Sequence, residues 1–91
     1  MPGIVYILQS HKNLRYYIGS TNNLKRRLSE HHRGQDKYTK NILPIKLVFH
    51  QVYPTLKQAR QIEFRLKKLK RKDIIERIVK EREITLKING A

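Results

Sequence analysis

The stretch IVYILQSHKNLRYYIG, residues 4–19, decides the fold. Ile4 to Leu8 is an unbroken apolar and aromatic run rich in β-branched residues, the pattern of a strand buried on both faces and therefore central in its sheet. Gln9 to Asn13 is polar and turn-like, and Leu14 to Ile18 resumes β-prone character until Gly19 interrupts it. Two such segments joined by so short a polar stretch predict a β-hairpin, which makes the sheet antiparallel.

Beyond the hairpin, Ser20, Thr21, Asn22 and Asn23 offer several N-caps, and Leu24, Leu28 and His31 recur at helical spacing until Gly34, predicting a first helix over roughly 23–32. A polar, basic loop, Gln35 to Pro44, leads to a third strand at Ile45 to Val52, and a loop that long in a small domain is often functional, with a flexible linker the commoner alternative. Pro54 ends the strand. Thr55 with Gln58 forms a capping-box pattern for a helix starting near Leu56, whose stripe Ala59, Ile62, Leu66 and Leu69 faces a core. Asp73 with Glu76 repeats that pattern ahead of Ile74, Ile75, Ile78 and Val79, predicting a third helix from there. The result is an α+β fold, a small antiparallel three-stranded sheet flanked by helices in the order β-β-α-β-α-α. Its length suits one domain over residues 1–91, with a core at about 4–80 and a segment 81–91 that is a short strand or a loose tail.

Charge narrows the partner. Lys and Arg total 21 against 7 Asp and Glu, a net +14, which favours a polyanion held through counterion release. With no cysteine, disulfides, zinc thiolates and thiol catalysis are excluded. No basic leader and no apolar span of membrane length is seen, so a cytoplasmic location and no membrane partner are expected.

Three groups of residues could carry chemistry. Glu63 follows Ile62 and lies four positions after Ala59, on or beside the apolar stripe, so its carboxylate needs a cation, either a metal or a basic side chain. Arg27 and His31 lie one helical turn apart and project from one side of the first helix, able to address one phosphate, whereas His32 is off that face. Tyr6, Tyr16 and Tyr17 lie on paired strands, where tyrosines ordinarily pack a core, yet a phenol from each strand beside the first helix would gather two phenols, an Arg and a His.

Val5-Tyr6-Ile7-Leu8, then Tyr17-Ile18-Gly19-Ser20-Thr21, then Leu24 to Arg27 with His31, resemble the GIY-YIG nuclease family, and the YIG half is literal. The two tyrosines are about ten positions apart, Arg27 follows ten after the second, and Tyr38-Thr39-Lys40, Leu47-Val48 and Gln58 to Glu63 with Lys67 and Lys68 look like the small stand-alone members. The resemblance spans about residues 4–80. The first motif reads Ile4-Val5-Tyr6, with Gly3 displaced by one position.

The resemblance implies a metal-dependent endonuclease that hydrolyses phosphodiester bonds, with Glu63 as the protein ligand of a divalent metal, magnesium or alternatively manganese. It implies Tyr6 as the base with His31 hydrogen-bonded to it, Tyr17 orienting water or phosphate, and Arg27 on a non-bridging oxygen. His31 as the base, or as a phosphate donor, stays an alternative. An asparagine beyond the glutamate is also implied, and Asn89 is the only one there. Lys25, Arg26, Lys40, Lys67, Lys68, Lys70 and Arg71 are the expected phosphate contacts, with DNA, structured or damaged, favoured over RNA. A protein partner would supply substrate specificity, since family nucleases commonly carry a further binding domain. The competing readings are a nucleic-acid-binding module of the same fold that cuts poorly, and an interaction protein whose basic face docks an acidic partner or a ribosome.

Overall fold

The structure, a computed structural model, describes residues 2–34 and 43–84. Strands β1 (Gly3–Ser10), β2 (Tyr16–Thr21) and β3 (Ile45–Tyr53) form one antiparallel sheet in the order β2-β1-β3. Helices α1 (Leu24–His32), α2 (Leu56–Leu69) and α3 (Lys72–Glu81) complete the order β-β-α-β-α-α. β1 is central, as its unbroken apolar run requires. Val5 and Ile7 pack with Ala59, Ile62 and Leu66 of α2 and Ile75 and Ile78 of α3, while Tyr6 and Leu8 pack with Leu24 and Leu28 of α1. All four strand residues are buried, so β1 divides two apolar layers.

The helix starts follow local chemistry. Asn23 caps α1 by accepting from the Arg26 N–H at 3.0 Å, and Gly34, at φ 72°, donates its N–H back to His31 O. Thr55 caps α2 by accepting from the Gln58 N–H at 3.1 Å. The reciprocal half of that capping box is not made, because Gln58 Oε1 is buried without a partner among the described residues.

Several expectations are corrected. β2 starts at Tyr16 rather than Leu14, since Leu14 takes a left-handed conformation (φ 61°) and is exposed in the turn. It also runs through Gly19 to Thr21 rather than ending there. α3 begins at Lys72 behind an uncapped Arg71: Asp73, read as a cap, instead accepts from Arg71 Nε at 3.2 Å and Nη2 at 2.8 Å. That guanidinium holds the Asp73 carboxyl below the usual carboxylate range. Leu69 is exposed rather than buried, because α2 ends at it and Lys70 turns the chain away in a left-handed cap. Ile84 is buried in the core and its N–H donates to Gln51 Oε1 at 3.0 Å; the rest of the expected terminal segment lies outside the described residues. Among the described residues, no helix is long and apolar enough to cross a membrane.

Candidate active site

Residues directly paired across a sheet point to the same face. Tyr6 pairs with Gly19 and Leu8 with Tyr17, placing these four positions on the α1 side, whereas Val5 pairs with Ser20 and Ile7 with Ile18, placing these on the α2 side. Because β2 is an edge strand, groups from both faces can meet around it.

Gly19 makes the meeting possible. A Cβ there would collide with the hydroxyl end of Tyr6, 2.9 Å from its Cε2 and closer still to Cζ and Oη. Lacking one, the edge strand lets the phenol lie across it and reach α1. Gly3 answers a different need: its Cβ would come within 2.8 Å of Ala59 Cβ, so the displaced glycine of the first motif admits the first turns of α2.

On the α1 side, Tyr6 Oη lies 3.1 Å from His31 Nε2, with the rings edge-on at 5.9 Å, and Arg27 Nε donates to the same oxygen at 3.3 Å. Tyr6 and His31 are buried. Arg27 also reaches Glu30, Nη1 to Oε1 at 3.3 Å, so the guanidinium is held between a phenol and a carboxylate. Helical spacing brings Arg27 and His31 to this side together, whereas His32 falls on another face of α1. Tyr17 Oη accepts from Asn13 Nδ2 at 3.1 Å, which turns that phenol toward the β1–β2 turn.

On the α2 side, Ser20 Oγ donates to Glu63 Oε1 and Lys67 Nζ donates to Oε2 at 2.6 Å. The Glu63 side chain is 19% exposed, and its cation in this structure is the lysine one turn further along α2. Among the described residues, no three His, Asp or Glu side chains gather into a metal-binding cluster. A lone carboxylate beside a hydroxyl suits a hard divalent ion that keeps most of its own waters, so Glu63 fits a metal of that kind.

Tyr6, Tyr17, Arg27, His31 and Glu63 all line one groove of about 750 Å³. Among the described residues, Arg15, Arg27, Lys67, Lys70, Arg71 and Lys72 line it too, against the single carboxylate of Glu63, which makes the field from these residues strongly positive. Of the expected phosphate contacts, Lys67, Lys70 and Arg71 lie in this lining, with Lys67 and Arg71 already ion-paired. Lys25 and Arg26 on α1 and Lys68 on α2 lie outside it. Lys40 and Asn89 fall outside the described residues. Sequence reasoning missed Ser20, Glu30, Arg15 and Lys72. The hairpin register was the signal for Ser20, since it sets that residue on the face opposite Tyr17.

A positive groove lined by a phenol, an imidazole, a guanidinium and, among the described residues, one carboxylate is chemistry for a phosphate ester, the class of work that nucleases do. The model of the GIY-YIG catalytic domain matches residues 2–78, and the chain belongs to that nuclease family, which implies binding of nucleic acid. Among its relatives, a UPF0213 protein of Clostridium perfringens is 36% identical over 90 residues, covering 93% of this chain and 96% of that one. A UPF0213 protein of Bacillus licheniformis is 42% identical over 67 residues, 72% of this chain and 68% of its own. The solution NMR structure of a UPF0213 protein from Bacillus halodurans superposes with a TM-score of 0.57 at 30% identity, covering 90% of this chain and 87% of that chain.

Proposed function

We propose that the protein is an endonuclease that hydrolyses phosphodiester bonds in DNA with one divalent ion, magnesium or manganese, held by Glu63. The observation that carries this reading is the Tyr6 hydroxyl, in hydrogen-bond reach of both His31 and Arg27, on the groove that Glu63 also lines.

Tyr6 is the base for the attacking water. A phenol with a reference pKa near 10 needs help to give up its proton at neutral pH, and His31 Nε2 is placed to take it. Arg27 sets positive charge against the oxygen on which negative charge develops, and its guanidinium is close enough to the groove to hold a non-bridging phosphate oxygen as well. Tyr17 orients the water or the phosphate. Ser20 fixes the rotamer of Glu63 so that the carboxylate faces the groove rather than solvent. The ion, when bound, would supply Lewis-acid stabilisation of the phosphate and the leaving oxygen. Lys67, Lys70 and Arg71 grip the backbone from the groove, and Lys25, Arg26, Lys40 and Lys68 extend the hold outside it.

Among the described residues the groove lining holds no Asn or Gln to read base edges, so choice among structured or damaged DNA would fall to a partner protein. The absence of cysteine suits work in the reducing cytoplasm. One observation favours the second reading, a module that binds but cuts poorly: both oxygens of Glu63 are engaged by Ser20 and Lys67.

Cleavage of plasmid, branched and single-stranded DNA with magnesium or manganese, wild type against Glu63→Gln, separates the two. Metal-dependent cutting lost in the variant is expected. No cutting of any substrate, with binding intact in both proteins, would leave the binding module.

A further inference from the structure

We propose that the outer face of α2 is a stacking platform for an unpaired base of single-stranded DNA, with Phe64 as the platform. The proposal deepens the DNA reading above and rests on it.

α2 buries Ala59, Ile62 and Leu66. Phe64 comes two positions after Ile62, about 200° round the helix, so its ring is turned away from the core. It is 66% exposed, the most exposed of the large hydrophobic side chains among the described residues. Arg60 and Lys68 lie one turn before and one turn after it on the same line of the helix, and Lys57 lies two turns before. Phe64, Leu56, Lys57, Arg60 and Gln61 line a shallow depression of about 400 Å³, separate from the groove of the active site. Among the described residues, none of Lys57, Arg60 and Lys68 takes part in an ion pair.

An exposed aromatic ring bracketed by unpaired cations selects its occupant by charge. A second copy of this chain would press the same cations together, on a molecule already at +14. A polyanion with an accessible π face meets both demands, through phosphates on the lysines and arginine and a base on the ring. In a duplex the base faces are already stacked, so the ring discriminates for unpaired strands. The position on α2 supports this. Glu63 lines the groove and Phe64 follows it in α2, so a strand with a phosphate in the groove has its continuing bases on the same helix as the ring.

The chain contains no tryptophan, so F64W installs a single indole reporter at this place. Its emission is expected to be quenched by oligo(dT). F64A should bind oligo(dT) about 10-fold more weakly, with affinity for a blunt duplex and the salt slope unchanged, because every cation stays in place. The side chain is exposed and Ala is a good helix former, so the fold survives both changes. An indole that oligo(dT) does not quench, or equal affinity of F64A and wild type for oligo(dT), overturns the platform. So does a wild-type dimer in sedimentation that F64A dissociates. A wild-type chain that binds neither oligo(dT) nor duplex instead overturns the DNA reading itself.

Discussion

At Tyr6 the structure ties a fold requirement to a chemical one. The phenol is buried over Gly19, and its oxygen is the atom of the ring placed to act on both His31 and Arg27. Tyr6→Phe keeps the ring and its packing while deleting the oxygen, and leaving buried His31 without that hydrogen bond should cost about 1–3 kcal/mol of stability. Cleavage should fall by about 10²- to 10⁴-fold, the usual worth of a positioned general base. Single-turnover cleavage with a melting curve on the same sample checks it; a variant that cuts as fast as wild type would remove Tyr6 as the base. Lys67 supports a second prediction. Its ammonium occupies Glu63 Oε2 at 2.6 Å and would compete for that oxygen with a metal held as proposed. The Lys67 side chain is 55% exposed, so the pair is solvent-screened and its loss is worth only a few-fold, on the order of 5-fold tighter manganese binding in Lys67→Met. A manganese titration followed by electron paramagnetic resonance reads this directly, and unchanged affinity would mean that the lysine is no competitor.

At the scale of elements, α2 joins the core, the glutamate and the outer face, so its stability should govern the site. Thr55 satisfies one of its first orphan N–H groups, and Thr55→Ala should cost about 1 kcal/mol, lowering Tm by about 4–8 °C in a domain this small. Differential scanning calorimetry measures it; an unchanged Tm would show that the cap is idle, and Thr55→Ser should restore most of the loss. This element was legible in the sequence because its cap and its apolar stripe agree. β1 was legible for a similar reason, since an unbroken apolar run leaves no solvent face to choose. The residues that misled are ones whose role is set by a partner the helical or strand period does not show. Gly19 looks like a strand breaker, and in the fold it clears space for a ring on the next strand. Asp73 looks like a cap, and it chelates Arg71 instead. The strand period of Ser20 sets its face but not its partner, and its tie to Glu63 spans 43 positions of chain that only the folded sheet and helix bring together.

For the whole molecule, the excess of charge is uneven in a way that a salt titration can resolve. Lys70 and Lys72 line the groove without being held by Glu63, whereas Lys25 and Arg26 stand on α1 outside the groove. Each duplex phosphate that is no longer neutralised should flatten the slope of log K against log salt by about 0.9. The double variant Lys70→Gln, Lys72→Gln should therefore weaken binding alike across sequences and reduce the slope by about 2. The pair Lys25→Gln, Arg26→Gln carries the same formal charge change, so long-range attraction alone would make the two variants equal. If the groove is the seat of binding, the α1 pair should shift the slope by less than half as much. Fluorescence anisotropy over a range of sodium chloride, on one duplex of mixed sequence, gives both slopes. Equal slopes in the two variants would mean that a diffuse positive field holds the nucleic acid, and a larger effect on α1 would move the binding face to the outer side of the first helix.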